Sequence, residues 1–448
     1  MCIRDSSNSF AALLEILDPQ RFCRGVPVKG PKLLEQVMVR RLKEDLRQIE
    51  GGFPERKVHE IGLKGLPATA PELRLAELLS DYREARENRL RDASKSVQTA
   101  SGLVNICLQK RLFSSVEAFA FTLDVHRRAF ERKASQPSGS SSSTHESKEN
   151  LSLLLSSPGG DDDRSEVPEI EVSEEEQAQM EAATKQSLLT HNAGKHAAQL
   201  ENETAMLEAM SRIAHAERGN PDARIRWLVD WIRKNMCANL PPLGEAAPEG
   251  SSPAWNDRRI IIFTEYTDTK RYLEQQLRSA IAFTDQSESR IASFHGGMAD
   301  KTREEIKRAF NTDPKKHPLR ILIATDAARE GVNLQNHCAD LFHFDIPWNP
   351  SRLEQRNGRI DRKLQRAPVV NCYYFVYEQR PEDRVLHVLV QKTKVIQKEL
   401  GSLSPVIEAR LNKGIKREEA DQLAKEIESK KLSDAEERAV SDLSLIHI

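Results

Sequence analysis

An α/β fold, doubly wound on a mainly parallel sheet, is predicted for residues 258–380, preceded by a mostly helical region and an acidic insertion. Three observations predict it. Short, wholly apolar runs such as Ile260–Phe263 and Ile321–Ala324 recur with helix-period segments between them. Such runs are the mark of strands buried on both faces by crossover helices. Upstream, the apolar residues fall mostly at helical spacing. Between the two, a serine cluster at 138–143 gives way to acids, Asp161–Asp163 and Glu174–Glu176. That composition cannot bury enough apolar surface to offset its chain entropy, so 134–178 reads as a disordered insertion.

The elements follow in order. Leu13, Leu14 and Leu17 make a short apolar helix face that Asp18-Pro19 stops. Leu33, Leu34, Val37 and Leu42 continue the pattern into the basic run Arg40–Asp45. Lys57–Leu63 alternates as a strand does, and Pro71 opens a helix through Leu75, Leu78, Leu79 and Tyr82. Helix resumes near Glu174, striped by Met206, Met210 and Ile213, and again after Asn220-Pro221-Asp222. Residues 239–257, rich in Pro, Gly, Ala and Ser, form a linker. Strand Ile260–Phe263 is followed by helix 268–277, strand Ile291–Phe294, helix 301–310, strand Ile321–Ala324, strand Asp340–Phe344 and strand Val369–Tyr377. Pro350 starts a short helix, with Trp348 before it as a packing anchor. Pro381 starts a longer one that Gly401 stops.

The chain has 448 residues and a net charge of −1, so a nucleic-acid surface would have to be a local basic groove. Its six cysteines form no C-x-x-C pair, which points to a reducing, cytoplasmic setting without a zinc module. No apolar run is long enough for a membrane span. Residues 1–6 and 443–448 back-translate to reverse complements across a shared core used as a transposase adapter in library preparation. Both ends are therefore expected to be adapter sequence rather than protein.

Two segments carry chemistry. Thr325–Gln335 follows an apolar strand and so sits at the carboxyl end of a sheet, where α/β ligands bind. Gly331 permits close backbone approach there, and Thr325 and Asn333 offer hydrogen bonds to phosphate or sugar. Gln355-Arg-Asn-Gly-Arg-Ile-Asp-Arg362 sets Arg359 and Arg362 one turn apart beside Gly358. Guanidinium forks so placed can stabilise the charge that phosphoryl transfer spreads over the γ-phosphate oxygens.

Together the two segments resemble motifs V and VI of superfamily-two helicases, in the form found in Swi/Snf-like DNA translocases. The resemblance covers roughly residues 7–65 and 255–400. It implies a RecA-like lobe at 258–380, with Arg359 and Arg362 as arginine fingers and Gln355 beside them as catalytic residues. Asp326, Gly331, Asn333 and Gly358 are the expected nucleotide-side contacts. Thr264 matches motif IV, and His295-Gly296-Gly297 matches the next block, with Arg303 in register. Thr264, His295, Gly296, Arg303 and Thr325 are the expected nucleic-acid contacts, with no metal ligand among the set. Val37–Asp45 and Ser7–Leu14 resemble blocks near the end of the first RecA-like lobe. The expected organisation is the end of that lobe plus a helical region at 7–133, the insertion at 134–178, helix at 179–238, linker at 239–257, the RecA-like lobe at 258–380 and a helical extension at 381–442.

The resemblance implies ATP and Mg²⁺, but the sequence holds no Walker A loop or acidic box to cradle them. Gly25-Val-Pro-Val-Lys-Gly30 has P-loop glycine spacing with Pro31 where the lysine belongs. Both are expected to be bound mainly by a first lobe missing here, leaving this fragment inactive alone. Double-stranded DNA is the implied substrate. The order of blocks is similar to prokaryotic members such as the helicase of the DISARM anti-phage system, so partner proteins of a defence or repair system are implied as well. Two other readings remain: a non-catalytic nucleic-acid or protein-binding module, and an RNA helicase of the same superfamily.

Overall fold

The structure is a computed structural model that describes residues 12, 14–23, 37, 52–134, 167–188, 197–245, 253–326, 333–399, 410–411 and 413–429. The P-loop-like Gly25–Gly30, the rest of the block at 38–45, the serine cluster and Gly331 lie outside them. In chain order the elements are β1 (Glu55–Leu63), α1 (Pro71–Arg89), α2 (Lys95–Ser114), α3 (Val116–Ala134), α4 (Glu169–Ser187), α5 (Ala197–Glu217), α6 (Ala223–Asn235), β2 (Cys237–Ala238), β3 (Ala254–Trp255), β4 (Ile260–Thr264), α7 (Thr267–Ile281), α8 (Ser287–Arg290), β5 (Ile291–Phe294), α9 (Asp300–Asn311), β6 (Ile321–Thr325), β7 (Asp340–His343), α10 (Pro350–Asn357), β8 (Val369–Tyr377), α11 (Pro381–Glu399) and α12 (Ala420–Ser429).

Six strands form one sheet in the order β1-β8-β7-β4-β6-β5. Every pairing in it is parallel. Successive residues of a strand point to opposite faces, and the packing follows that alternation. Ile260, Ile262, Ile321 and Ile323 pack with Ile225, Leu228 and Leu273 on one face. Ile261, Phe263, Leu322 and Ala324 pack with Phe294, Phe310 and Ile360 on the other. The doubly wound parallel arrangement expected from the apolar runs is therefore present, with both faces covered.

β1 is part of this sheet. It pairs with β8 along its whole length, Glu55 opposite Val369 and Leu63 opposite Tyr377. The sheet thus draws on two stretches of chain separated by the helical region.

Helices α1 to α5 share a core built on Leu75, Tyr82, Leu108, Phe119, Leu123, Met180 and Met210. Trp348, Val385 and Leu389 belong to the same core, which ties the helices to the sheet domain. Trp348 is the packing anchor expected of it, buried against Phe113 at 6.2 Å between ring centroids.

One expectation is corrected. The disordered insertion drawn as 134–178 does not extend to 178, because Glu169–Ser187 is a helix. Its acids are neutralised by cations of other elements. Glu176 pairs with Arg111 at 2.5 Å and Glu169 with Lys270 at 2.6 Å, while Met180 and Ala183 are buried beneath.

Candidate functional site

The connection after β4 runs toward β5, and the connection after its neighbour β7 runs toward β8 on the other side. A crevice opens where connections diverge, outside the carboxyl ends of the strands. Thr264 and Glu265 follow β4 there, Asp345 follows β7, and Thr325 and Asp326 end β6 beside them.

Asp345 is the hub. Its carboxylate accepts from Thr264 Oγ1 at 2.6 Å, from Ser114 Oγ at 2.5 Å and from the Glu265 backbone N–H at 2.9 Å. Arg356 adds an ion pair to it at 3.3 Å and donates to the Asp345 carbonyl at 2.8 Å. The same guanidinium makes a two-pronged contact with Asp326, at 2.5 and 2.8 Å. Burial alone would lower the Arg356 pKa, but Asp326 and Asp345 hold it above the ordinary arginine value. Arg356 therefore staples the ends of β6 and β7 to α10.

The helix α10 is locked from a second side. Arg56 of β1 donates to Glu354 at 2.7 Å and to Asp361 at 2.9 Å. Beyond the helix, the N–H of Gly358 donates to the Glu354 carbonyl at 2.8 Å and that of Arg359 to the Arg356 carbonyl at 3.0 Å. Ile360 plugs the turn into the core with no exposed surface. Arg359 is 8% exposed, and its carbonyl accepts the Leu334 N–H. Arg362 donates to the Gly358 carbonyl at 2.6 Å and to Oδ1 of Asn333. The turn bearing the candidate fingers is thus joined to the loop after β6. Gln355 is half-buried on the same short helix.

The candidate residues separate accordingly. Arg359, Arg362, Gly358 and Asn333 come together, with Gln355 on the helix that leads to them. Asp326 reaches the same crevice, where its carboxylate is held by Arg356. Thr264 is fully buried and its hydroxyl is given to Asp345, so in this state it does not face a solvent-borne phosphate. Thr325 is buried at the position paired with Thr264. Arg303 is 6% exposed and spends its guanidinium on its own turn, on Asp300 and the Met298 carbonyl, both at 3.2 Å. A motif match fixes a residue's place along a strand or helix, not the direction of its side chain. The inward-facing network around Asp345 accounts for Thr264, and the helix's own turn accounts for Arg303.

His295 and Gly296 lie at the end of β5. Nδ1 of His295 is 2.7 Å from the Gly296 carbonyl and 3.1 Å from the Glu169 carboxylate. Two acceptors against one nitrogen require Nδ1 to carry the proton. Burial and nearby Lys270 push the His295 pKa below its ordinary value, against the pull of Glu169.

Sequence reasoning missed Asp345, Arg56 and Lys270. Asp345 carried a legible signal, an acid at the carboxyl end of an apolar strand. Arg56 carried none, since its partners lie some three hundred residues away. Among the described residues no group of His, Cys, Asp or Glu could hold a metal ion. The carboxylates of Asp326, Asp345, Glu354 and Asp361 are paired with Arg356 or Arg56. No helix among the described residues is long and apolar enough to cross a membrane.

Residues 254–363 match the family model of the helicase conserved C-terminal domain. The chain is 34% identical over 151 residues to YqhH of Bacillus subtilis, described as an uncharacterized ATP-dependent helicase, covering 34% of this chain and 25% of that protein. It is 29% identical over 143 residues to the RNA polymerase-associated protein RapA of Pectobacterium carotovorum, covering 32% of this chain and 12% of that protein. The match therefore spans a quarter or less of these curated relatives. Among solved structures, the C-terminal part of the Fun30 ATPase domain aligns over 84% of this chain and 97% of that chain at 12% identity, with a TM-score of 0.38. The Sulfolobus solfataricus SWI2/SNF2 ATPase core domain aligns over 37% and 31% at 16% identity, with a TM-score of 0.26.

Proposed function

We propose that this chain, which carries the C-terminal region of a superfamily-two Swi/Snf-like helicase, is the arginine-bearing lobe of an ATP-dependent motor on double-stranded DNA. The observation that carries the reading is the tie between the finger turn and the loop after β6, where the Leu334 N–H donates to the Arg359 carbonyl at 3.4 Å and Arg362 reaches Asn333. It couples the turn that holds both candidate fingers to the loop after β6, the loop that would sense the nucleic-acid strand.

ATP, held with Mg²⁺ by a facing lobe, supplies the phosphoryl group whose charge must be stabilised. What this chain contributes is position. Arg356 and Arg56 fix α10 from two sides, and Ile360 fixes the turn after it, so Arg359 and Arg362 start from a rigid base. Preorganised cations need no rearrangement at the moment of charge development, which is where most of their effect lies. Lys270 in the first turn of α7 and His295 just beyond β5 would offer donors to a backbone phosphate. The choice of duplex DNA, and of a prokaryotic defence or repair setting with its partner proteins, rests on the Swi/Snf-like motifs.

The test is ATP turnover of protein containing this chain together with its P-loop lobe, with duplex DNA, single-stranded DNA or RNA added. Stimulation strongest with duplex supports the reading. Stimulation by RNA alone overturns the substrate. Binding to nucleic acid without any stimulated turnover favours the binding-module alternative.

A further inference from the structure

Outside the finger turn, one cluster of charged groups is closed over by the chain itself. The Glu169 carboxylate, at the first turn of α4, accepts from Lys270 Nζ at 2.6 and 2.8 Å. Nδ1 of His295 stands 3.1 Å from it, and Thr267 Oγ1 stands 3.4 Å away. Thr267 and Lys270 lie in the first turn of α7, just beyond β4, and His295 lies just beyond β5. Three donors from the carboxyl ends of two strands therefore converge on one anion. The side chain of Lys270 is 6% exposed and that of Glu169 17%. The chain leading into α4 also passes over Gly297, where a Cβ would stand 2.6 Å from the Val167 carbonyl.

We infer that Glu169 stands in for a nucleic-acid phosphate, so that the start of α4 is an internal competitor that must leave before a strand can occupy Lys270, His295 and Thr267. A desolvated ammonium keeps its charge in such a place only while an anion faces it. A phosphodiester, like a carboxylate, presents two oxygens carrying one negative charge, and can replace it without leaving Lys270 unpaired. The approach to Glu169 is acidic in sequence, with Asp161, Asp162, Asp163 and Glu166 just upstream. Helix α4 has a second tie, Glu176 to Arg111, whose guanidinium also reaches Asp268 at 3.5 Å in the first turn of α7. Displacement of Glu169 alone can therefore open the site while the helix stays packed on Met180 and Ala183.

This inference rests on the nucleic-acid reading above, and the experiment separates the two. Affinity for a labelled duplex is measured by fluorescence anisotropy at several salt concentrations. The proteins are the wild-type chain, Glu169→Gln, Glu169→Ala, Glu169→Gln with Lys270→Ala, and Glu176→Gln, each checked by circular dichroism and melting. The expected result is that both Glu169 variants bind roughly fivefold or more tightly, and that their salt dependence steepens by about one phosphate contact. Lys270→Ala in the Glu169→Gln background removes the gain, and Glu176→Gln binds as wild type. Wild-type binding with no gain in either Glu169 variant overturns the inference and leaves Glu169 a packing strut. An equal gain in Glu176→Gln overturns it too, because loosening the helix would then suffice. If no protein in the set binds duplex, the nucleic-acid reading itself fails and the inference falls with it.

Discussion

Arg356 grips the carboxylate of Asp326 with two hydrogen bonds, at 2.5 and 2.8 Å, both side chains being almost wholly buried. This pair joins the end of β6 to the helix that precedes the candidate fingers. Removing one partner of a buried, doubly bonded pair leaves the other charge without compensation. Arg356→Ala should therefore lower stability by about 3–5 kcal/mol in denaturant melts. Arg356→Lys should recover little of it, because an ammonium cannot fork onto Asp326 while also reaching Asp345. A melt within error of wild type for Arg356→Ala would contradict the assignment of Arg356 as the staple.

Arg56 makes the corresponding link from β1. Its ion pairs to Glu354 and Asp361 are both 2.8 Å or shorter, and its own side chain is 14% exposed. Burial alone would lower the Arg56 pKa, yet Glu354 and Asp361 raise it above the ordinary value. Arg56→Ala should speed hydrogen exchange together in β1 and in residues 358–362, by at least about tenfold, a loss of some 1.4 kcal/mol of local protection. Faster exchange in β1 alone would mean that the turn does not depend on Arg56.

Acid should destabilise the fold through two buried histidines. His343 Nε2 donates to Asn357 Oδ1, 2.9 Å away, and its pKa is pushed down to about 3 by burial and by Arg356. His126, between Tyr82 and Thr184, lies well below its ordinary value through burial and Arg86. Both stay neutral in the folded protein when the unfolded chain takes up a proton near pH 6.5. Below that pH the unfolded state binds more protons, so stability falls as pH falls, by up to ~1.4 kcal/mol per pH unit for each histidine. For His343 the loss runs from about 6.5 down to about 3. His343→Gln should remove up to one proton from that slope. An unchanged slope between pH 6 and pH 4 would show that His343 is not held neutral.

Gly297 should resist any side chain. Its φ is +68°, and an added Cβ would stand 2.6 Å from the Val167 carbonyl and 3.0 Å from Pro168 Cα. Gly297→Ala should cost more than about 1 kcal/mol, because left-handed strain and a backbone clash act together. A neutral or stabilising effect would mean that the chain before α4 does not lie where it is described.

The sheet was largely legible. Ile260–Phe263 and Ile321–Ala324 announced buried parallel strands because both faces of each are covered, and Pro350 and Pro381 marked helix starts because their missing N–H groups cost nothing in a first turn. The partner of β1 was not legible, since alternation at Lys57–Leu63 identifies a strand without naming its neighbour. The acidic helix α4 was misread in part because its charges look solvated until Lys270 and Arg111 arrive from other elements. At the site, Gly358, Arg359 and Arg362 lie on one turn beside Asn333. The inward turn of Thr264 was hidden, because it is captured by Asp345, which only the fold brings near.

The central claim is that Arg359 and Arg362 act on phosphate charge across a lobe boundary. Its most direct test is ATP turnover, stimulated by duplex DNA, in protein containing this chain and its P-loop lobe, comparing wild type with Arg359→Ala and Arg362→Ala. The account predicts a fall of about a thousandfold or more in kcat for each variant, with duplex binding retained. Wild-type turnover in both variants would contradict it.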